Sequence, residues 1–146
     1  MPIPAGMSFA DFCEQMAKKA GLPLEQKTNE FVTVVFKTGE SRYQRVWIRP
    51  FGTDYKERQL IAITSPAMVL SKGQQLSQKV ANELLKDNCK LAHGAWAIQE
   101  SDKEDYLIAI DSLIADTMEP EELESSAGVV AMLADEMEAR LNVDTF

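Results

Sequence analysis

Cysteine, histidine and long hydrophobic runs are what this 146-residue sequence has least of. Each shortage closes off a class of function. Cys13 and Cys89 stand far apart, with no CxxC spacing and no histidine partners, so the chain carries neither a disulfide framework nor a zinc site. Both fall where a helix would bury a small apolar side chain, and both are expected to be reduced core residues. His93 is the single histidine, and any catalytic triad would have to be built around it with Cys13 or Cys89 as nucleophile. Its place beside Gly94, at a helix-to-strand junction, suits a hydrogen-bonded structural histidine better. No GxxxxGK[ST] loop, GxGxxG turn, GxSxG elbow or HExxH helix occurs, which removes the common nucleotide, hydrolase and zinc chemistries. The expectation is a protein without enzymatic activity, metal or cofactor.

The longest apolar runs, such as YLIAI, fall far short of a membrane span, and MPIPAGMSF lacks the basic and apolar regions of a secretory signal. A cytoplasmic protein that does not enter a membrane is expected. With 45% apolar and 26% charged residues and no repeat, the whole of residues 1–146 reads as one domain with its core at about 8–142.

Acid is present in excess but unevenly. Residues 1–60 hold nine Lys and Arg against seven Asp and Glu, a balance of +2, whereas residues 61–146 hold six against sixteen, a balance of −10. A chain this acidic is repelled by a phosphate backbone except at a local patch. Glu100, Asp102, Glu104 and Asp105 cluster in ESDKEDY, but without the DxDxDG ladder of a calcium loop they read as a solvated hairpin tip.

Ser8 and Asp11 resemble a helix-start box, followed by Phe9, Phe12, Cys13, Met16, Ala17 and Ala20 at helical spacing and a stop at Gly21 and Pro23. The runs FVTVVF (31–36), YQRVWIR and QLIAIT (59–64), separated by KTGES and PFGTDYKER, predict a three-stranded antiparallel meander. Ser71 with Gln74 predicts a second helix start, with Leu76, Val80, Leu84 and Leu85 as its apolar stripe and an end near Asn88. GAWAIQ and DYLIAID then form a hairpin around ESDKED. Pro120 opens a last helix whose Leu123, Ala127, Val130, Ala134, Met137 and Leu141 face inward, with Glu121, Glu122, Glu124, Asp135 and Glu138 on the opposite face. The order α-β-β-β-α-β-β-α, without βαβ alternation, places the chain in the α+β class, a mainly antiparallel sheet with helices on one face.

One strand stands out. Alternation in YQRVWIRPF puts Val46 and Ile48 in the core and Tyr43, Arg45, Trp47, Arg49 and Phe51 on the other side. These five are the candidate partner-binding residues, because protein interfaces favour Trp, Tyr and Arg. A purely structural surface, with the aromatics half-covered and the arginines paired to local carboxylates, is equally open to them. Stacking of single-stranded nucleic acid or a nucleotide on Trp and Arg is the alternative from another class. It is opposed by the acidic total and by the lack of any RNP or KH signature.

The element order, the segment from Asn88 through LAHGAWAIQ with its Asn88, Gly94 and Trp96 spacing, and MLADEMEARL in the last helix resemble the YbjN and type III secretion chaperone-like (CesT-like) superfamily. The resemblance spans residues 8 to 142, while the basic loop at 49 to 58 departs from it. It implies a small, acidic, bacterial cytosolic protein, commonly a homodimer, that binds a protein client and catalyses nothing. A chaperone or regulatory adaptor is the function it implies.

Overall fold

The computed structural model describes residues 3–143. Helix α1 (Phe9–Lys19) is capped by the Ser8 hydroxyl, which accepts a 3.1 Å hydrogen bond from the Asp11 N–H. That bond satisfies one of the first-turn amides that have no partner inside a helix. The chain continues through β1 (Leu24–Lys27), β2 (Val32–Lys37), β3 (Tyr43–Thr53), β4 (Gln59–Ser71), α2 (Gln78–Lys90), β5 (Ala95–Gln99) and β6 (Glu104–Ile114). A short 3₁₀ turn leads into α3 (Pro120–Val143). The six strands form one antiparallel sheet in the order β1-β2-β3-β4-β6-β5, with the helices against it. This is the α+β arrangement predicted from the element order.

Strand alternation decides what lies under the helices. Val46 and Ile48 of β3, Ile61 and Ile63 of β4, and Leu107 and Ala109 of β6 are buried in one cluster with Phe12 and Met16 of α1 and Val130, Ala131 and Ala134 of α3. Leu123, Ala127 and Met137 complete the buried stripe of α3, so its four- and three-residue steps form the stripe the sequence predicts.

The junction between α2 and β5 joins helix layer to sheet edge. The Asn88 side chain donates from Nδ2 to the Trp96 carbonyl at 3.1 Å and accepts from the Trp96 N–H at 2.6 Å. An amide side chain thus supplies what a neighbouring strand would, at an edge where backbone groups otherwise lack partners. Gly94 makes the turn with φ of +77°, and an added Cβ would meet the Ile110 carbonyl at 3.4 Å and Leu133 at 3.5 Å. Only glycine adopts that conformation freely.

Several expectations need correction. Strand β1 was not foreseen, since LEQK shows no apolar alternation; it is defined by its pairing with β2. Strand β3 runs on through Phe51 to Thr53, into what reads as a loop, with an irregular register between Pro50 and Thr53. Strand β4 reaches Ser71, so the Ser71 and Gln74 pair closes a turn instead of opening a helix: Gln74 Oε1 accepts from the Ser71 N–H at 3.1 Å. Helix α2 starts six residues later, capped by Ser77, whose hydroxyl accepts from the Val80 N–H at 3.2 Å. On α2 only Leu84 is buried, and Leu85 and Cys89 are exposed. At about 100° per residue they lie well round the helix from the face that meets the sheet. Asp135 and Glu138 are not on a solvent face either. Arg42, at the end of the β2–β3 hairpin, binds the Asp135 carboxylate and carbonyl, each at 2.9 Å, and Gln44 Nε2 donates to Glu138 at 3.3 Å.

Truncation of Ile48 to alanine is expected to cost about 2–5 kcal/mol, as for other fully buried aliphatics, measured by urea unfolding. Burial among Gln44, Asp135 and Arg42 raises the pKa of Glu138 above its ordinary 4.5, desolvation outweighing the Gln44 hydrogen bond. A carboxyl with a raised native value favours folding while it is protonated and loses that contribution as pH rises through it. Glu138→Gln should therefore match the wild type below pH 4.5 and become the more stable of the two towards neutrality; melting curves at several pH values check this.

Candidate functional site

Away from the helices the sheet presents a second face, and here β3 and β4 part company. Their ladder runs from Thr53 and Gln59 to Trp47 and Thr64 and stops. The next position on that face is Pro66, which has no N–H to donate. Side chains fill the gap. The Ser65 hydroxyl donates to the Arg45 carbonyl at 2.7 Å, and Gln44 Nε2 donates to the Pro66 carbonyl and to Ser65 Oγ, each at 2.9 Å. A register shift between Pro66 and Met68 lets β4 stay paired with β6 past the proline.

Beside that break lies a hollow of about 250 Å³ lined by Trp47 and Arg49 of β3, Thr64 and Pro66 of β4, Gln99 of β5, and Tyr106 and Ile108 of β6. Cross-strand pairing sets them side by side: Trp47 opposite Thr64, Pro66 opposite Ile108, Tyr106 opposite Gln99. No helix covers this face, yet Thr64 is 3% and Ile108 4% exposed. Their cover comes from the side chains around them. Arg49 extends from β3 to β5, past two intervening strands, and its Nη2 donates to Gln99 Oε1 at 2.6 Å.

The five residues marked out by the sequence separate into three environments. Arg45 donates from Nη2 to Glu25 Oε2 of β1 at 2.9 Å and lies 5.6 Å from the Trp47 ring centre. The Arg45 hydrogen bond holds the Glu25 carboxyl below its ordinary range. Trp47 and Arg49 are half-buried in the hollow. Tyr43, at the hairpin end opposite Lys37, and Phe51, beyond Pro50, are exposed and do not line it. Local carboxylate pairing therefore describes Arg45 but not Arg49, which among the described residues has no carboxylate within 4 Å. Half-burial lowers the Arg49 pKa, although a guanidinium stays charged in a protein.

Gln99, Tyr106, Ile108, Thr64 and Pro66 were not marked out by the sequence. A signal for two of them existed: DYLIAI is apolar on both faces of its strand, the pattern of a strand covered twice. Helices cover it on one side only. The other nucleophile candidates stay apart from this site. Cys13 is buried in α1, where desolvation pushes its thiol up to about 12, and Cys89 and His93 are exposed at and beyond the end of α2. Among the described residues no three His, Cys, Asp or Glu side chains converge as metal ligands, and no helix is long and apolar enough to cross a membrane.

No protein-family model matches the chain, and no curated protein matches it by sequence.

A half-buried cation whose partner is a neutral amide stabilises the native state little, because desolvation offsets what the hydrogen bond returns. Replacing Arg49 by methionine, which keeps much of the apolar stem, should change unfolding free energy by less than about 1 kcal/mol. A larger loss in urea titrations would show Arg49 and Gln99 to be a structural strap.

Proposed function

We propose that this protein is a non-enzymatic protein-binding module of the secretion-chaperone-like kind, a chaperone or regulatory adaptor that acts as a homodimer. The observation that carries the reading is the outer face of the sheet, away from the helices, with Trp47 and Arg49 half-buried around a hollow and no carboxylate within 4 Å of Arg49 among the described residues. Large aromatics and arginine in a partly desolvated recess are the groups that dominate protein interfaces. Exposed Leu85 and Met132 on the helix side and Val69 and Ile98 on the sheet add apolar surface beyond the core. Such surface supports association with another chain or a second copy. The cytoplasmic setting belongs to the same proposal and rests on the resemblance of residues 8 to 142 described above.

The test is a paired capture. Wild type and the double variant Trp47→Ala, Arg49→Glu are used as baits in extract of the native host, and bound proteins are identified by mass spectrometry. The double variant should melt within a few degrees of wild type yet lose its clients, because truncating a desolvated anchor and reversing a charge remove much of an interface's energy. Equal client recovery from a folded double variant would leave this face a structural surface only. Light scattering at micromolar concentration should give twice the 16.3 kDa chain mass; a monomer's mass contradicts the homodimer. Absorbance at 260 nm that co-purifies and is removed by high salt would support the nucleic-acid alternative instead.

A further inference from the structure

The charged group that lines the hollow is a guanidinium, which can donate hydrogen bonds but not accept them. Arg49 uses one N–H on Gln99 Oε1, and the guanidinium carries four more. Gln99, its oxygen occupied by Arg49, has its NH₂ group to give. Tyr106 spends its hydroxyl hydrogen on Glu104 Oε1 at 2.8 Å, so its oxygen can only accept, and the charge-bearing donors on this lining come from Arg49. The surrounding walls are the Trp47 ring, Pro66 and Ile108. A cation half out of water, with no carboxylate within 4 Å among the described residues, stands in this apolar setting with its charge unanswered.

We propose that the hollow is a carboxylate-recognition site, which takes an Asp or Glu side chain of an extended segment in a partner protein. This rests on the protein-binding reading and names the chemistry of the partner. The planar guanidinium matches a carboxylate through two parallel hydrogen bonds, and the low-dielectric walls strengthen that pair relative to water. Trp47 and Pro66 take an apolar residue two positions from the acid, which shares its face in an extended segment. Clefts that enclose a drug-sized ligand run to about 300–1,000 Å³; this hollow is about 250 Å³ and lies on the sheet surface, a place for a side chain carried on a segment of protein. The acid and a residue two positions along, on the same face of the segment, fit. Gln99 stands on β5, the edge strand, so an extended segment can enter from the side of the sheet. Selectivity comes with the arrangement, because a neutral amide in place of the acid would leave the guanidinium desolvated without an ionic partner.

The test uses an array of 12-residue peptides of random sequence, each acidic peptide printed beside a twin with Asn for Asp and Gln for Glu. Wild type, Arg49→Lys and Arg49→Gln are applied in turn, with melting curves confirming that each is folded. Wild type should select peptides with an aliphatic or aromatic residue two positions from the acid, and the amide twins should bind at least about tenfold more weakly. Arg49→Gln should bind acid and amide twins alike, and Arg49→Lys should retain part of the difference. Equal binding of both twins to wild type, with Trp47→Ala weakening both, would overturn the carboxylate site and leave the protein-binding function standing. Absence of any bound peptide would count against both. If wild type is a dimer and Arg49→Gln a monomer by light scattering, the carboxylate belongs to a second copy and the partner-segment proposal fails.

Discussion

The missing N–H of Pro66 governs the outer face of this sheet. A central strand is bonded on both sides, and a residue that cannot donate breaks one of the two ladders. Here the break falls between β3 and β4, while β4 and β6 remain paired through a register shift. The consequences run in two directions. Towards the helices, Gln44 and Ser65 occupy the wedge and satisfy the Pro66 and Arg45 carbonyls, and the same Gln44 amide reaches Glu138 on α3. Away from the helices, the parting of the strands adjoins the recess into which Trp47, Thr64 and Pro66 face. Gln44 Oε1 is buried with no hydrogen-bond partner among the described residues.

The same recess explains an otherwise contradictory burial pattern. Strands covered by helices on one side usually alternate apolar with polar residues, yet β4 and β6 keep Ala62, Thr64 and Ile108 almost fully buried on the side without helices. Arg49 and Gln99 extend over that floor in place of a helix. Their stems and amide supply cover, but the guanidinium contributes an unanswered charge. Apolar cover alone would have been served as well by leucine or methionine, without the desolvation cost of a cation. That difference separates a surface that merely closes the sheet from one disposed to receive an anion.

How far the sequence reveals this depends on the range of each interaction. Ser8 over Asp11, the α3 stripe from Leu123 to Met137, and the inward Val46 and Ile48 all follow from spacing within one element, and the structure agrees at each. Strand β1 is invisible because LEQK is defined by a partner strand and by Arg45 on Glu25. Strand β4 is cut short in the sequence reading because a proline inside an apolar run signals an end, and only a β6 able to shift register shows otherwise. Ser71 and Gln74 mislead because the same four-residue geometry serves a turn and a helix start. Of the candidate row, Trp47 and Arg49 belong to the recess and Tyr43, Arg45 and Phe51 do not; alternation assigns a face but cannot say where a strand pair opens. Gln99 lies fifty residues from Arg49, and no local rule joins them.

Asn88, Gly94 and Trp96, the spacing that takes part in the resemblance, lie elsewhere in the molecule. Asn88 closes the outward backbone groups of Trp96, Gly94 makes the turn that packs beneath Ile110 and Leu133, and Trp96 is buried towards the helices. Each of these roles is architectural: together they fasten the edge strand to the helix layer. Architectural roles of this kind bear on how the chain is folded and leave open what it holds, since sites vary on a common frame. The connection between the two regions is mechanical. By fixing β5 at Trp96, the Asn88 clasp also fixes the strand three residues further along, where Gln99 meets Arg49. A free edge strand of five residues would fray, and the far wall of the recess would fray with it. The Asn88, Gly94 and Trp96 spacing thus acts on the outer face through rigidity, and the chemistry of that face comes from Trp47, Arg49 and the gap beside Pro66.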